Sequence, residues 1–284
     1  MTNILITTDF NDLSLNACLK FCKSMFKDSE TKYFLLHVRE DMGFFAKLLG
    51  GQEVHEDYQQ FHFQELQKNI KTLYGLDVTT YIRKGRITGE INRFVKAENI
   101  DFMVTGTSNT RLHTIGANTH KLIRTAEIPM MTVNIDIEPR EIKNILLPLE
   151  LNLSSRQKIP YAIQWANNYN AKLTILIGSW DGIEVDQRRR LEYTASRAQD
   201  FILDKGVDCE VVKMPTLAQS KDFADEVIKY MNEESNQVDL CMVMGRDVST
   251  DFAADPRAQD VIRYAKVPVI CVPLKKTGMD TAFL

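Results

Sequence analysis

The sequence predicts an α/β protein made of two tandem copies of a doubly wound unit, each a five-stranded parallel sheet flanked by helices. Three observations carry this. Short apolar runs alternate with amphipathic stretches along the whole chain, one unit recurs about halfway along, and 284 residues suit two domains of about 140 each.

The recurrence is specific. Asn3-Ile4-Leu5 returns 141 residues later as Asn144-Ile145-Leu146. Gly106, closing Asp101-Phe-Met-Val-Thr-Gly, returns 139 residues later as Gly245, and Ile123-Arg-Thr-Ala-Glu-Ile-Pro129 returns at the same interval as Ile262-Arg-Tyr-Ala-Lys-Val-Pro268. The copies meet near Ile137-Glu-Pro-Arg-Glu141, a polar stretch with a proline, which sets the domains at 1–138 and 139–284.

In the first copy, Ile4–Thr7 reads as a strand and Leu13–Met25 as a helix. Tyr33–Val38 is the second strand, about Phe44–Leu73 a long helical region, and Val78–Ile82 the third strand. Ile87, Ile91, Phe94 and Val95 recur at helical spacing, one apolar face toward a sheet. Phe102–Thr105 and Met130–Val133 complete the strands, with a helix between them. The second copy supplies Ile145–Leu147, Leu173–Ile177, Cys209–Val212, Leu240–Val243 and Val269–Val272, and its long helix carries Leu191, Ala195, Ala198 and Ile202 on one face.

Composition excludes several classes. A formal net charge of -3 gives no electrostatic footprint for nucleic acid. No apolar run reaches the roughly 18 residues of a membrane span. Met1–Ile6 reads as a strand rather than a signal peptide, and five scattered cysteines fit reduced thiols, so a cytoplasmic location is expected.

In doubly wound folds, ligands sit beyond the carboxyl ends of the strands. The first strand ends in Thr7-Thr8-Asp9-Phe10-Asn11. Asp9 there can accept from a ribose hydroxyl or a base amine, or it can cap the following helix. The fourth strand ends at Gly106, where backbone can approach a ligand closely. A helix starts after Gly116, so Gly116-Ala117-Asn118-Thr119 places amides and a hydroxyl where a helix N-terminus attracts anions. The same pattern also suits an ordinary loop, and it is not a Walker loop.

Asn-Ile-Leu-Ile-Thr-Thr-Asp at the start, Leu35-Leu-His-Val38, Gly85, and the closing Gly-Ala-Asn-Thr…Ile-Pro-Met-Met-Thr-Val resemble the universal stress protein family, in its tandem two-domain form. The resemblance covers both halves. It implies Rossmann-like domains of the adenine nucleotide α-hydrolase-like type, a stress-response or regulatory role, and adenine nucleotide, ATP or a relative, as ligand. It further implies that Thr7 and Val38 line the adenine, that Asp9 meets the ribose, that Gly106 opens the phosphate loop, and that Gly116, Ala117, Asn118 and Thr119 hold phosphates. Asn109 stands where the family's loop has its second glycine, and Gly106 and Gly116 are separated by nine residues rather than twelve. Family members pair through their last strands, so an internal pseudo-dimer of the two halves is expected, and a homodimer of whole chains with it.

The second copy departs further. Asp255-Pro256-Arg257-Ala258 replaces Gly116–Thr119, Glu150 replaces Asp9, and Gly178 replaces Val38, so its site is expected to be inactive. No catalytic signature is present, which points away from an enzyme; for a slow ATP hydrolase only His113 and Asn109 are nominees. Cys18 and Cys22, four apart, lack the second pair that a structural zinc site needs, and no metal is expected. His37 reads as a packed histidine, His55 and His62 as a solvated or interfacial face, and Arg188–Arg190 as a solvated helix surface. An interaction scaffold that needs no nucleotide, acting on a protein partner, is the rival function.

Overall fold

The computed structural model describes residues 2–26, 30–40, 56–107, 117–151, 153–219, 222–245 and 256–274. The first-half strands are β1 (Thr2–Thr8), β2 (Thr31–Arg39), β3 (Val78–Lys84), β4 (Phe102–Thr107) and β5 (Met130–Asn134). Those of the second half are β6 (Asn144–Leu149), β7 (Lys172–Ile177), β8 (Cys209–Lys213), β9 (Leu240–Met244) and β10 (Val269–Val272). Between them run α1 (Asp12–Met25), α2 (Glu56–Tyr74), α3 (Ile87–Ala97) and α4 (Ala117–Thr125), then α5 (Ile159–Tyr169), α6 (Val185–Asp204), α7 (Phe223–Asn232) and α8 (Pro256–Tyr264). A 3-10 segment, Leu153–Lys158, leads into α5. The predicted strands and helices are present; of the long helix expected from Phe44, the described part begins at Glu56.

All ten strands form one sheet, ordered β3-β2-β1-β4-β5-β10-β9-β6-β7-β8. Each half is parallel, and the halves join where β5 pairs antiparallel with β10. Met131 faces Ile270 at the centre of that pairing, with Thr132 opposite Val269 and Met130 opposite Cys271, so a pseudo-two-fold axis runs through the sheet. These are the two strands expected to bring the halves together. The carboxyl ends of the two halves therefore point in opposite directions.

Both faces of the sheet are covered, as an all-apolar strand requires. Ile4 and Ile6 of β1 turn toward the layer holding α1, α2, α5 and α6; Leu5 turns toward the layer of α3, α4, α7 and α8. The repeated Asn-Ile-Leu has a mechanical basis. The amide of Asn3 donates to Asp101 Oδ2 at 2.8 Å, and its side chain to the carbonyls of Glu98 and Asn99. Asn144 repeats this with Asp239 and the Gln237 carbonyl, tying each half's first strand to the turn before its fourth.

Aromatic packing also crosses between the halves. Trp165 of α5 lies 5.3 Å from Phe102 and 6.0 Å from Phe26, ring centre to ring centre, and the Tyr169 hydroxyl donates to the Met25 carbonyl at 2.7 Å. Trp165 is 8% exposed. Trp165→Ala should therefore lower stability by about 3 kcal/mol, read from the urea midpoint of the whole chain.

Candidate functional site

The first-half strand tips enclose a cleft of about 130 Å³. Thr7, Thr8 and Asp9 form one side, His37 and Val38 another, and Thr105 and Gly106 the floor. Ser14, Ile87, Ile91, Thr119 and Leu122 reach in from α1, α3 and α4. Five residues singled out from sequence thus converge: Thr7, Asp9, Val38, Gly106 and Thr119. Ala117 and Asn118 lie in the first turn of α4, while Asn109, Gly116, Arg111 and His113 lie outside the described residues, as does His55.

Local chemistry shapes each wall. The Thr7 hydroxyl donates to that of Thr105 at 2.9 Å, joining the tips of β1 and β4. Asn11 caps α1, its side-chain oxygen accepting from the Ser14 amide at 3.1 Å, so Asp9 is not the cap. Asp9 instead accepts from the Asn11 amide at 3.1 Å, and its carboxylate is exposed at the cleft mouth. The turn is held by Phe10, which has φ 65°, a conformation that costs a non-glycine residue about 1 kcal/mol or more. Its ring packs on His37 at 4.3 Å and on Phe63 at 5.0 Å, which compensates. His37 Nδ1 donates to the Thr8 carbonyl at 2.9 Å, leaving Nε2 as the acceptor in the neutral ring. The packed histidine of the sequence reading also lines the cleft, a role that its place at the end of a strand could have signalled.

Gly106 has a steric reason. A Cβ there would lie 2.0 Å from Ser14 Oγ and 3.0 Å from the Ser14 carbonyl oxygen.

The second half fills the equivalent space. Gly106 pairs with Val133, whereas it is Met244 that pairs with Val272, the counterpart of Val133 about the pseudo-axis. The repeat of Gly106 as Gly245 is thus displaced by one residue in the fold: the true counterpart of Gly106 is Met244, 8% exposed and packed in the α1/α5 layer. At Gly178, in the place of Val38, a Cβ would meet Phe223 Cδ2 at 2.6 Å, so the phenyl ring at the start of α7 sits directly on the strand tip. Pro148 stands in the place of Thr7. It has no N–H to extend a ladder, and β6 pairs with β9 only through Ile145–Leu240 and Leu146–Cys241, whereas β1 and β4 pair from Ile4–Phe102 to Thr7–Thr105. The Lys158 ammonium, 1% exposed, donates to the Pro148 carbonyl.

A larger crevice, about 1100 Å³, runs along the amino ends of the first-half strands, beside Phe26, Phe102, Trp165 and Tyr169. It lies at the opposite edge from the tips where such folds bind ligands. Cys18 and Cys22 are buried in the core, where desolvation raises the Cys18 thiol to about 12 and Cys22 well above its ordinary value. Among the described residues no group of histidines, cysteines and carboxylates could hold a metal ion, and no helix is long and apolar enough to cross a membrane.

Residues 1–134 match the model of the universal stress protein family. The first half is a universal stress protein domain. The fold of the whole chain is similar to that of a universal stress protein from Archaeoglobus fulgidus DSM 4304, at 13% identity, with 96% of this chain and 97% of that one covered and a TM-score of 0.68. It is also similar to a functionally unknown protein from Pseudomonas aeruginosa PAO1, at 16% identity over 96% and 93% of the chains, with a TM-score of 0.61. No curated protein matches the chain.

Burial lowers the Lys158 ammonium from 10.5 to about 8, against the opposing pull of Glu150. A lysine with a depressed folded value binds fewer protons folded than unfolded between those limits, so its contribution to stability rises with pH across the window. Replacing Lys158 by Met leaves the Pro148 carbonyl without its donor at every pH, so the variant should compare best with the parent near pH 7 and lose about 2 kcal/mol relative to it by pH 10. Paired urea titrations of parent and variant isolate this effect from the other titrating groups.

Proposed function

We propose that the first half binds an adenine nucleotide at the tips of β1, β2 and β4, that the second half does not, and that the chain acts as a regulatory module in the cytoplasm. The division between halves is placed at 138/139. The observation that carries this reading is the contrast between equivalent strand tips. One is an open cleft bringing together Thr7, Asp9, Val38, Gly106 and Thr119. The other is occupied by Met244, Phe223 and Lys158.

The cleft's size suits a single ring system. At about 130 Å³ it is smaller than the roughly 300–1,000 Å³ that encloses a drug-sized ligand. The base enters between Val38 and Ile87, and the sugar and phosphates lie outward, past Asp9 and toward the N-terminal turn of α4. Asp9 accepts from the ribose hydroxyls with the carboxylate oxygen that its turn leaves over. Thr119 and the first amides of α4 meet the phosphates, where the orphan N–H groups favour negative charge.

The nine-residue interval between Gly106 and Gly116 favours a second reading, a scaffold that acts without nucleotide. Calorimetric titration with ATP, ADP and AMP separates the two. One site per chain is expected, with affinity falling about tenfold in Asp9→Ala, the loss of a charge-assisted hydrogen bond. No heat up to millimolar nucleotide, together with an unchanged melting temperature, would establish the scaffold instead.

A further inference from the structure

The helix that supplies Thr119 and Leu122 to the cleft also rests on the other half of the molecule. Gly245 directly follows β9, and a Cβ there would lie 3.0 Å from the Ile123 carbonyl oxygen in the last turn of α4. The same Cβ would lie 3.4 Å from the Val272 carbonyl oxygen, and the Gly245 amide donates to that oxygen at 2.7 Å. The Gly245 peptide is therefore fixed to the second half while the end of α4 sits against it. Ile123, 8% exposed, is buried in one apolar layer with Val261, Ile262, Val269 and Cys271.

The residue at this position differs between the halves. The first-half counterpart of Gly245 is Thr107, which keeps a side chain; its hydroxyl donates to the Val133 carbonyl at 3.4 Å. At the tip of β9, glycine lets a helix of the other half approach so closely that a side chain would press on it. A nine-residue helix is about 13 Å long and moves as a rigid rod, so its last turn sets where its first turn stands.

We infer that the second half sets the width of the first-half cleft, with Gly245 as the positioning residue that seats α4 and hence Thr119 and Leu122. The inference deepens the nucleotide reading and rests on it for its ligand readout, though not for its structural one. The second half, its own tip filled, then serves as a buttress for the open one.

The test compares Gly245→Ala and Gly245→Val with Val207→Ala, a truncation in the second-half core remote from α4. Two properties are measured: binding of ATP and of adenosine by calorimetry, and amide hydrogen exchange across residues 119–125. In Gly245→Val, ATP affinity should fall about tenfold, with Gly245→Ala intermediate and adenosine losing less than ATP. Exchange in α4 should quicken about tenfold in Gly245→Val and stay at the parent rate in Val207→Ala. Parent-like exchange in α4 of Gly245→Val, or the same acceleration in Val207→Ala, overturns the inference. So does equal loss of ATP and adenosine. If the parent takes up no nucleotide, it is the nucleotide reading that fails, and exchange in α4 still decides whether Gly245 seats the helix.

Discussion

The antiparallel pairing of β5 with β10 is the constraint on which the rest of this molecule depends. A parallel five-stranded sheet has two edges, and its last strand leaves a row of unpaired N–H and C=O groups. Here each half's last strand satisfies the other's, through Thr132–Val269, Met131–Ile270 and Met130–Cys271. The paired side chains are buried on both faces, so the two cores run into each other rather than stopping at a boundary. The arrangement also sends the two sets of strand tips to opposite edges, which lets one tip be filled while the other stays open.

The means of filling are ordinary packing substitutions that act together. A methionine in place of a glycine occupies the floor, and a phenylalanine over a glycine occupies the wall. A proline ends the central ladder early, and a buried ammonium takes up the carbonyl left over. The open half keeps the opposite choices: a glycine against Ser14, a valine facing an isoleucine, and a threonine pair in place of the proline. Its cost is the left-handed Phe10, held by His37 and Phe63, which presents the Asp9 carboxylate at the mouth.

The strands and their duplication were legible in the sequence because buried parallel strands are uniformly apolar and the unit is repeated. The convergence of Asp9, Gly106 and Thr119 was legible too, since they lie at the ends of predicted strands or the start of a predicted helix, and the family resemblance added Thr7 and Val38. The correspondence of Gly106 with Gly245 was misleading for a definite reason. The interval relating β4 to β9 is one residue shorter than that relating β5 to β10, and only the ladder register tells which residue of β9 faces Val272. The roles of Lys158 and Phe223 were hidden because they come from helices and fill a space that exists only once the strands are assembled. Nor does a sequence tell which of Asp9 and Asn11 caps a helix, when either residue type serves.

Pro148 and Lys158 also constrain how the second half can vary. A non-proline residue at 148 would add an amide to a strand tip already crowded by an ammonium, and removing the ammonium alone would strand a carbonyl in the core. Each substitution alone is penalised by the presence of the other residue. Met244 and Phe223 add two more steps that open a void unless a ligand arrives to occupy it. The filled tip is thus self-locking: its parts support one another, so no single substitution among them opens a cleft like that of the first half.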